Sequence, residues 1–324
     1  MKIKRVEIKN FRGIEHLELD FVDPAGESLD LVVLAGPNGC GKTSVLEACI
    51  LACNHSELPQ TSSSPKFNLL NGCNSFEISL NVDDKGMFYN VTFFYEVDGK
   101  HHDVKRKSYG IGICYFSSRR YSIPTGSIGL TVHKKAKKAK SIEDQRLFEI
   151  KQRLINLTGS AAFTSTKPKV SEQTKKTVYS KINDGWKLFY PNRNCYFNAE
   201  YASNKIEDGF DVFLCDIDSA KRLSIDSLSS GELEIFMMLS CFALNDLSNT
   251  IVFIDEPELH LHPSWHRTIM NALKTVLPKT QIICATHSTE ILDSVYSYER
   301  FTLLPENDPR IKMYNTPDIN KDWK

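Results

Sequence analysis

The chain has little of three things: long apolar runs, closely spaced cysteines and net charge. Its longest apolar runs, such as Leu31–Ala35 and residues 251–254, are far shorter than the roughly 20 residues of a membrane-spanning helix. Residues 1–5 also lack the apolar stretch of a signal peptide. These absences predict a cytoplasmic protein that does not bind a membrane.

The nine cysteines include no Cys-x-x-Cys pair, which argues against a zinc ribbon and against a disulfide framework. We therefore expect reduced, mostly buried thiols. Forty Lys and Arg residues balance forty Asp and Glu residues, so no global field attracts nucleic acid, and any such contact needs a local basic patch. The 324 residues, 41% of them hydrophobic, suffice for a substantial core.

Alternating polar and apolar side chains in the first half predict an antiparallel β layer. Residues 4–11 and 17–21 both alternate in this way, as half-buried strands do. Residues 76–82 and 91–97 repeat the pattern on either side of the turn-forming Asp-Asp-Lys-Gly at residues 83–86. This second pair of runs predicts a hairpin.

Other segments predict a mainly parallel sheet. Leu31–Ala35 is a continuous β-favouring run that leads through a glycine-rich turn into a helix over residues 43–52. Later helices and strands alternate in the order helix, strand, helix, strand, at residues 233–244, 250–254, 264–276 and 281–285. Alternation of this kind is typical of parallel sheets flanked by helices.

The middle of the chain differs in composition. Five lysines fall within residues 134–140, followed by a predicted helix over residues 142–157 and a polar stretch over residues 164–177. We interpret the middle segment as an insertion. The predicted domains are an N-terminal lobe, a lysine-rich insertion and a C-terminal lobe, at residues 1–125, 126–204 and 205–324.

A phosphate-binding loop of the pattern G-x-x-x-x-G-K-[ST] lies between the buried strand and the helix. Its glycines let backbone N–H groups face phosphates, Lys42 reaches the β- and γ-phosphates, and Thr43 holds Mg²⁺. A chance glycine turn is the alternative, which the flanking strand and helix disfavour. The predicted loop residues are Gly36, Pro37, Asn38, Gly39, Cys40, Gly41, Lys42, Thr43 and the adjoining Ser44.

An acidic pair follows the apolar strand at residues 250–254. Ligands bind at the carboxyl ends of strands in open parallel sheets, so Asp255 is placed to hold Mg²⁺ and Glu256 to polarise an attacking water. His287 follows the next strand, where it can hydrogen-bond a γ-phosphate. Taken singly, the acidic pair also suits a helix cap, and a histidine at a strand end is usually structural.

The segment Leu-Ser-Ser-Gly-Glu, at residues 228–232, precedes a long apolar helix. Taken alone, Ser229 and Glu232 have the S-x-x-E spacing of a capping box. The order of the motifs is more specific: phosphate loop, Leu-Ser-Ser-Gly-Glu, Asp-Glu, strand-histidine. In this order they resemble the ABC-type ATPase heads of SMC, RecF and overcoming-lysogenization-defect (OLD) proteins, which are AAA family ATPases of the AAA_15 or AAA_21 type.

Two further segments carry this resemblance. Residues 8–14, which include Arg12, are similar to the group's N-terminal signature. Residues 255–263, Asp-Glu-Pro-Glu-Leu-His-Leu-His-Pro, are similar to the OLD-like and RecF-like branch rather than to transporters. The resemblance covers about residues 1–120 and 205–300.

The resemblance implies an α/β P-loop NTPase fold of ABC ATPase type, with a mixed or parallel sheet, an N-terminal antiparallel β layer and a helical or disordered insertion. It implies ATP and Mg²⁺ as cofactors and a homodimer that sandwiches two ATP molecules. The catalytic residues implied are Lys42, Glu256 and His287, with Thr43 and Asp255 on the metal. Nucleotide-binding residues implied outside the loop are Arg12, Ser229, Ser230, Gly231 and Glu232. Of these, Ser229, Ser230 and Gly231 would bind the γ-phosphate held by the phosphate loop of the opposing subunit.

The sequence departs from the group's pattern at two places. The usual Leu-Ser-Gly-Gly-Gln is Leu-Ser-Ser-Gly-Glu here, and the loop that normally supplies a Mg²⁺-sensing glutamine falls near residues 115–120, which contain none. Two other features have competing interpretations. His260, His262 and His266 could bind a metal, although their spacing also follows the family's loop. The lysines of residues 134–140 could contact nucleic acid or be simply solvated.

Three functions fit these patterns. The first is an ATP-gated switch that acts on a separately encoded, nuclease-like effector in anti-phage defence, since only 37 residues follow His287 and leave little room for an appended nuclease. The second is a RecF-like clamp that binds DNA without an effector. The third is a scaffold that holds ATP without hydrolysing it. An SMC-like coiled-coil arm does not fit the roughly 80 inserted residues.

Overall fold

The computed structural model describes residues 1–53, 58, 65–98, 101–106, 111–118, 146–163, 168–203, 209–245, 247 and 250–304. The chain divides into two compact units. The first comprises Met1–Ser118, Leu247–Glu258 and Pro278–Lys324, and the second comprises Arg119–Asp246 and Leu259–Leu277. The lysine run at residues 134–140 and both predicted boundaries of the insertion, near 126 and 204, lie outside the described residues, so the three-part division stays a prediction.

Strands and helices alternate regularly only in the last part of the described chain, from residue 230 to residue 302. In chain order they are β1 (Lys2–Phe11), β2 (Ile14–Asp20), β3 (Leu31–Ala35), α1 (Lys42–Cys53), β4 (Ser75–Asp84), β5 (Met87–Asp98), β6 (His101–Arg106), β7 (Gly112–Phe116), α2 (Arg146–Phe163), α3 (Pro168–Phe189), β8 (Cys195–Tyr201), β9 (Phe210–Asp216), β10 (Arg222–Ser224), α4 (Ser230–Leu244), β11 (Thr250–Asp255), α5 (Pro263–Val276), β12 (Ile282–Thr286), α6 (Thr289–Asp293) and β13 (Arg300–Thr302).

A five-stranded parallel sheet in the first unit positions the candidate site. Its strand order is β13-β3-β12-β11-β7, and every pairing in it is parallel. All five residues of β3 and of β12 are buried, which explains why these strands are continuously apolar rather than alternating. Since the strands run in one direction, the carboxyl ends of β3, β12 and β11 lie side by side at one edge of the sheet.

An antiparallel sheet of order β2-β1-β4-β5-β6 forms the second layer of this unit. The predicted hairpin is confirmed: β4 pairs with β5 in register, with Asp84 opposite Met87. Helix α1 packs against strands of both sheets. Aromatic rings join the core, with Phe76 lying 5.3 Å from Phe11 and 5.8 Å from Phe93 between ring centroids. These layers confirm the predicted fold class.

The second unit combines helices with a small antiparallel sheet of order β10-β9-β8. Helix α3 packs against α4 and α5. Gly185 permits this close packing, because a Cβ atom there would lie 2.5 Å from a Leu239 methyl group. Lys151 of α2 is fully buried and forms ion pairs with Asp211 and Asp226.

The middle of the chain is more helical than its composition predicted. The helix expected at residues 142–157 is observed as Arg146–Phe163, and the polar stretch at residues 164–177 overlaps helix α3, which we had not predicted. None of the nine cysteines forms a disulfide, and five of them are buried, as expected. Among the described residues, no helix combines the length and apolarity needed to cross a membrane.

Candidate nucleotide-binding site

The phosphate-binding loop connects the end of β3 to the start of α1. Gly36, Gly39 and Gly41 have φ angles of 149°, 79° and 95°, which side-chain-bearing residues rarely adopt. A Cβ atom on Gly36 would lie only 2.2 Å from the carbonyl oxygen of Leu303, so this position has room for hydrogen alone. The loop is therefore built on backbone conformations that only glycine supplies.

The side chain of Lys42 bends back over the loop. Lys42 is only 6% exposed, and its Nζ atom donates to the carbonyl oxygens of Gly36 at 2.9 Å and Pro37 at 3.0 Å. The same Nζ atom lies 3.4 Å from Nδ1 of His287. The loop thus fixes the position of the ammonium group that is predicted to contact phosphate.

Thr43 and Asp255 meet at the predicted metal position. The Thr43 hydroxyl donates to Oδ1 of Asp255 at 3.1 Å and Oδ2 at 3.0 Å, and Asp255 is 2% exposed at the end of β11. A hydroxyl oxygen beside a buried carboxylate is a donor set that suits Mg²⁺, which prefers hard oxygen ligands. The residues present therefore fit the predicted ion.

Glu256 and His287 face each other across the same edge of the sheet. Nε2 of His287 lies 3.7 Å from Oε1 of Glu256, and each side chain is about one third exposed. Glu256 has a φ angle of 52°, and its N–H donates to the carbonyl oxygen of Ala285 at 2.8 Å. The structure thus places Lys42, His287 and Glu256 in a row, and their catalytic roles stay predictions.

Glu258 joins this site although the sequence analysis assigned it no role. Its Oε1 atom accepts hydrogen bonds from the Thr286 hydroxyl and from the His287 N–H, both at 2.8 Å. The signal that could have identified Glu258 is its place in the segment Asp-Glu-Pro-Glu, two residues after Glu256.

Arg12 lies beside α1, at the end of β1. Its guanidinium group pairs with Glu47, and its Nε atom donates to Oδ1 of Asn68 at 2.9 Å. The backbone of Arg12 has a φ angle of 53°, and its N–H donates to the carbonyl oxygen of Asn68 at 2.7 Å. The described contacts of Arg12 are therefore with protein groups, and its nucleotide-binding role stays a prediction.

The Leu-Ser-Ser-Gly-Glu segment lies in the second unit, at the start of α4. The capping box is present, because Ser229 and Glu232 bond reciprocally, and Arg193 pairs with Glu232 at 2.7 Å. Burial disfavours the charged form of Glu232, but hydrogen bonds from Ser229 and the Arg193 contact outweigh it and lower the pKa of this carboxyl. Ser230 is exposed at the first helical position, so the cap leaves it available for a further contact.

Gly231 is buried beneath the loop that precedes α5. A Cβ atom on it would lie 2.7 Å from the carbonyl oxygen of His260, so a larger residue would displace the start of α4. His262 caps α5 by accepting from the N–H of Ser264. The three histidines do not assemble a metal site within the described part of the chain, where the grouping found is Glu7, His16 and Glu18.

A glycine loop after a buried parallel strand, with a carboxylate at a neighbouring strand end, defines a P-loop nucleotide-binding domain. Sequence comparison gives the family. The chain belongs to the AAA_21 family, described as "AAA domain, putative AbiEii toxin, Type IV TA system", whose model matches residues 115–293.

Similar proteins include two that align along almost the whole chain. The "Retron Ec83 probable ATPase" of Escherichia coli is 24% identical, with 92% of this chain and 70% of that protein covered. The "Septu protein PtuA" of Bacillus mycoides (strain KBAB4) is 25% identical, with 95% of this chain but only 41% of that protein covered. The "Old nuclease" of Escherichia phage P2 is 43% identical over 51 residues, which are 15% of this chain and 9% of that protein.

Solved structures with the same fold include two SMC heads. The SMC head bound to the C-winged helix domain of ScpA superposes with a TM-score of 0.59 and 12% identity, covering 91% of this chain and 92% of that chain. The SMC head domain from Thermotoga maritima gives a TM-score of 0.52 and 14% identity at the same coverage. The family and the fold confirm the predicted resemblance to SMC-like and OLD-like ATPase heads.

Proposed function

We propose that this chain binds and hydrolyses ATP, closes on a second copy of itself around two ATP molecules, and thereby switches a separately encoded, nuclease-like effector in cytoplasmic defence against phage. The observation that carries the proposal is the convergence of Lys42, His287 and Glu256 on one edge of the parallel sheet, beside the Thr43 and Asp255 oxygens.

Each group has a chemical task suited to phosphoryl transfer. The loop N–H groups, the start of α1 and Lys42 bind the phosphates, and His287 donates a hydrogen bond to the γ-phosphate. The Glu256 carboxylate orients and polarises the attacking water. Thr43 and Asp255 would hold Mg²⁺, which supplies charge neutralisation when bound. The rate of hydrolysis depends mainly on positioning, because phosphoryl transfer needs little covalent chemistry from the protein.

The exposed start of α4 supports a site completed by a second copy. Ser230 and the helix N-terminus present donors of the kind that bind phosphate, and in the family that this chain resembles they act across the dimer. ATP would then join the two copies, and hydrolysis would release them. The similarity to a retron ATPase and a Septu protein supports the role in defence.

Three substitutions test this proposal. Lys42→Ala should lose ATP binding, because it removes the phosphate-contacting ammonium. Glu256→Gln should bind ATP and accumulate as a closed dimer, because hydrolysis no longer reopens it. Ser230→Arg should bind ATP but neither close nor turn over, whereas the exposed Ser180→Arg on α3 should behave as wild type. Mass by light scattering, with and without ATP, and phosphate release are the measurements. A Glu256→Gln protein that stays monomeric with ATP contradicts the proposal.

The lysines of residues 134–140 favour a second candidate, a RecF-like clamp on DNA that needs no effector. Phosphate contacts make such binding strongly dependent on salt. DNA binding by the purified chain that disappears when these lysines are neutralised would support the clamp.

A scaffold without hydrolysis predicts instead that wild type and Glu256→Gln release phosphate equally, at background level.

A further inference from the structure

We propose that Glu258 is a positioning residue of the hydrolytic site, whose carboxylate holds the His287 loop so that the imidazole lies between Lys42 and Glu256. This inference rests on the proposed ATPase function and adds a residue to that site.

One carboxylate oxygen carries the interaction. Oε1 of Glu258 accepts from the Thr286 hydroxyl and from the His287 N–H, both at 2.8 Å. The Thr286 hydroxyl oxygen in turn accepts from the Ser288 N–H at 2.9 Å. Three consecutive residues around His287 are therefore held, directly or through one hydroxyl, by a single side chain. Thr286 is fully buried, so water does not readily replace its partner.

The direction of these bonds requires an acceptor at position 258. The Thr286 hydroxyl has a single hydrogen to donate, and it donates this hydrogen bond to Glu258. The His287 N–H is also a hydrogen-bond donor to Glu258. Glutamine can supply a carbonyl oxygen at the same place, whereas alanine leaves both donors without this partner. The other oxygen, Oε2, is buried and has no hydrogen-bond partner in the described structure, so the acceptor function lies in Oε1.

Two hydrogen bonds, which we call ties, then set the spacing between Glu256 and His287. The Glu256 N–H is bonded to the carbonyl oxygen of Ala285, and Glu258 is bonded to the backbone of His287. Between these ties, the side chains of Glu256 and His287 approach to 3.7 Å. Loss of the second tie would release the histidine loop and leave the phosphate loop in place. A purely supporting role would instead lower stability and ATP affinity together.

The test compares Glu258→Ala and Glu258→Gln with the control Glu290→Ala. Glu290 accepts from the Ser288 hydroxyl at 2.9 Å and so contacts the same loop without touching the His287 backbone. We expect Glu258→Ala to lower kcat about 100-fold, since a displacement of about 1 Å can have that effect. The affinity for ATP should fall much less, because Lys42 and the phosphate loop keep their positions. Glu258→Gln should retain most of kcat, and Glu290→Ala should match wild type.

A second readout does not depend on turnover. The ring resonance of His287 in histidine-labelled protein, assigned by its disappearance in His287→Gln, should shift in Glu258→Ala and remain in place in Glu290→Ala. If the His287 resonance does not move in Glu258→Ala, the inference about Glu258 is overturned. Absence of ATP hydrolysis in wild type is a different result, and it refutes the proposed function. Equal losses of kcat and ATP affinity in Glu258→Ala, or a glutamine variant as inactive as alanine, also overturn the inference about Glu258.

Discussion

The buried ion pairs of Lys151 allow a direct test of what stabilises the second unit against unfolding. The Lys151 side chain is completely buried, with Nζ at 2.6 Å from Oδ1 of Asp211 and 2.9 Å from Oδ2 of Asp226. The carboxylates themselves are only 8% and 13% exposed. Substituting Lys151→Met keeps the volume of the side chain and removes its charge, so two buried carboxylates face each other without the cation.

The expected loss follows from the partners that remain. Breaking a buried ion pair by removing one member costs about 3–5 kcal/mol. Asp211 keeps the hydrogen bond from the Ser224 hydroxyl at 2.6 Å, which places the loss at the lower end, about 3 kcal/mol. With a urea m-value of about 3 kcal/mol/M at most, the unfolding midpoint should fall by about 1 M or more.

Tryptophan fluorescence isolates the unit concerned. Trp186 and Trp265 both lie in the second unit, and the third tryptophan of the sequence, Trp323, is outside the described residues and can be replaced by phenylalanine. Urea titrations then follow the second unit. The matched control is Lys187→Met, since Lys187 is exposed on α3.

Neutralising the whole cluster separates charge from packing. Adding Asp211→Asn and Asp226→Asn to Lys151→Met removes both carboxylate charges and should recover at least half of the lost stability, because uncharged replacements of buried pairs are often nearly neutral. The reasoning is refuted if Lys151→Met unfolds at the same urea concentration as Lys187→Met.

Three further predictions concern the phosphate-binding loop, the Leu-Ser-Ser-Gly-Glu segment and stability at alkaline pH. Gly36→Ala should abolish ATP binding in a fluorescent-ATP titration, because its Cβ atom would lie 2.2 Å from the Leu303 oxygen; unchanged affinity would contradict this. Gly231→Ala should bind ATP yet dimerise poorly by light scattering, since its Cβ atom would lie 2.7 Å from the His260 oxygen; normal ATP-driven dimerisation would count against it. Burial raises the pKa of Tyr179 from 10 to about 12, so its stabilisation is complete below pH 10 and is lost as the pH rises towards 12. Thermal melts from pH 8 upward should therefore decline less steeply in Tyr179→Phe, and equal slopes would refute the assignment.

Segments with a clear apolar pattern were predictable from the sequence. The strand Leu31–Ala35 has the bounds that its continuous apolar run indicated, and the β4–β5 hairpin follows the alternation on either side of its turn. Local chemistry fixes such elements, because the spacing of apolar residues already matches the geometry of the strand.

Helix α3 shows where this reasoning fails. Its first half is polar, and the apolar stripe begins only in the second half. The buried residues of that stripe recur at helical spacing: Val178, Tyr179, Ile182, Trp186 and Phe189. The helical period was present in the sequence, but the preceding lysines and threonines led us to interpret the start of the segment only as a polar stretch of the insertion.

Contacts of the residues that support the site could not be predicted. The partners Arg12 and Glu47 are 35 positions apart, and Glu258 and Thr286 are 28 positions apart. Pairing of this kind depends on how the strands are ordered in the sheet, which motif spacing does not contain. The sequence therefore located the P-loop groups, whereas the residues that hold them in place required the structure.

The uneven accessibility of the nine thiols decides how this protein can be labelled. Burial raises the pKa of the Cys49 and Cys284 thiols, so these sulfurs stay protonated and resist alkylation. Cys40 is partly accessible within the phosphate-binding loop. Three other thiols are partly accessible as well: Cys73, Cys114 and Cys241. With those three replaced by serine, the rate at which a maleimide dye modifies Cys40 would report nucleotide occupancy from a native side chain.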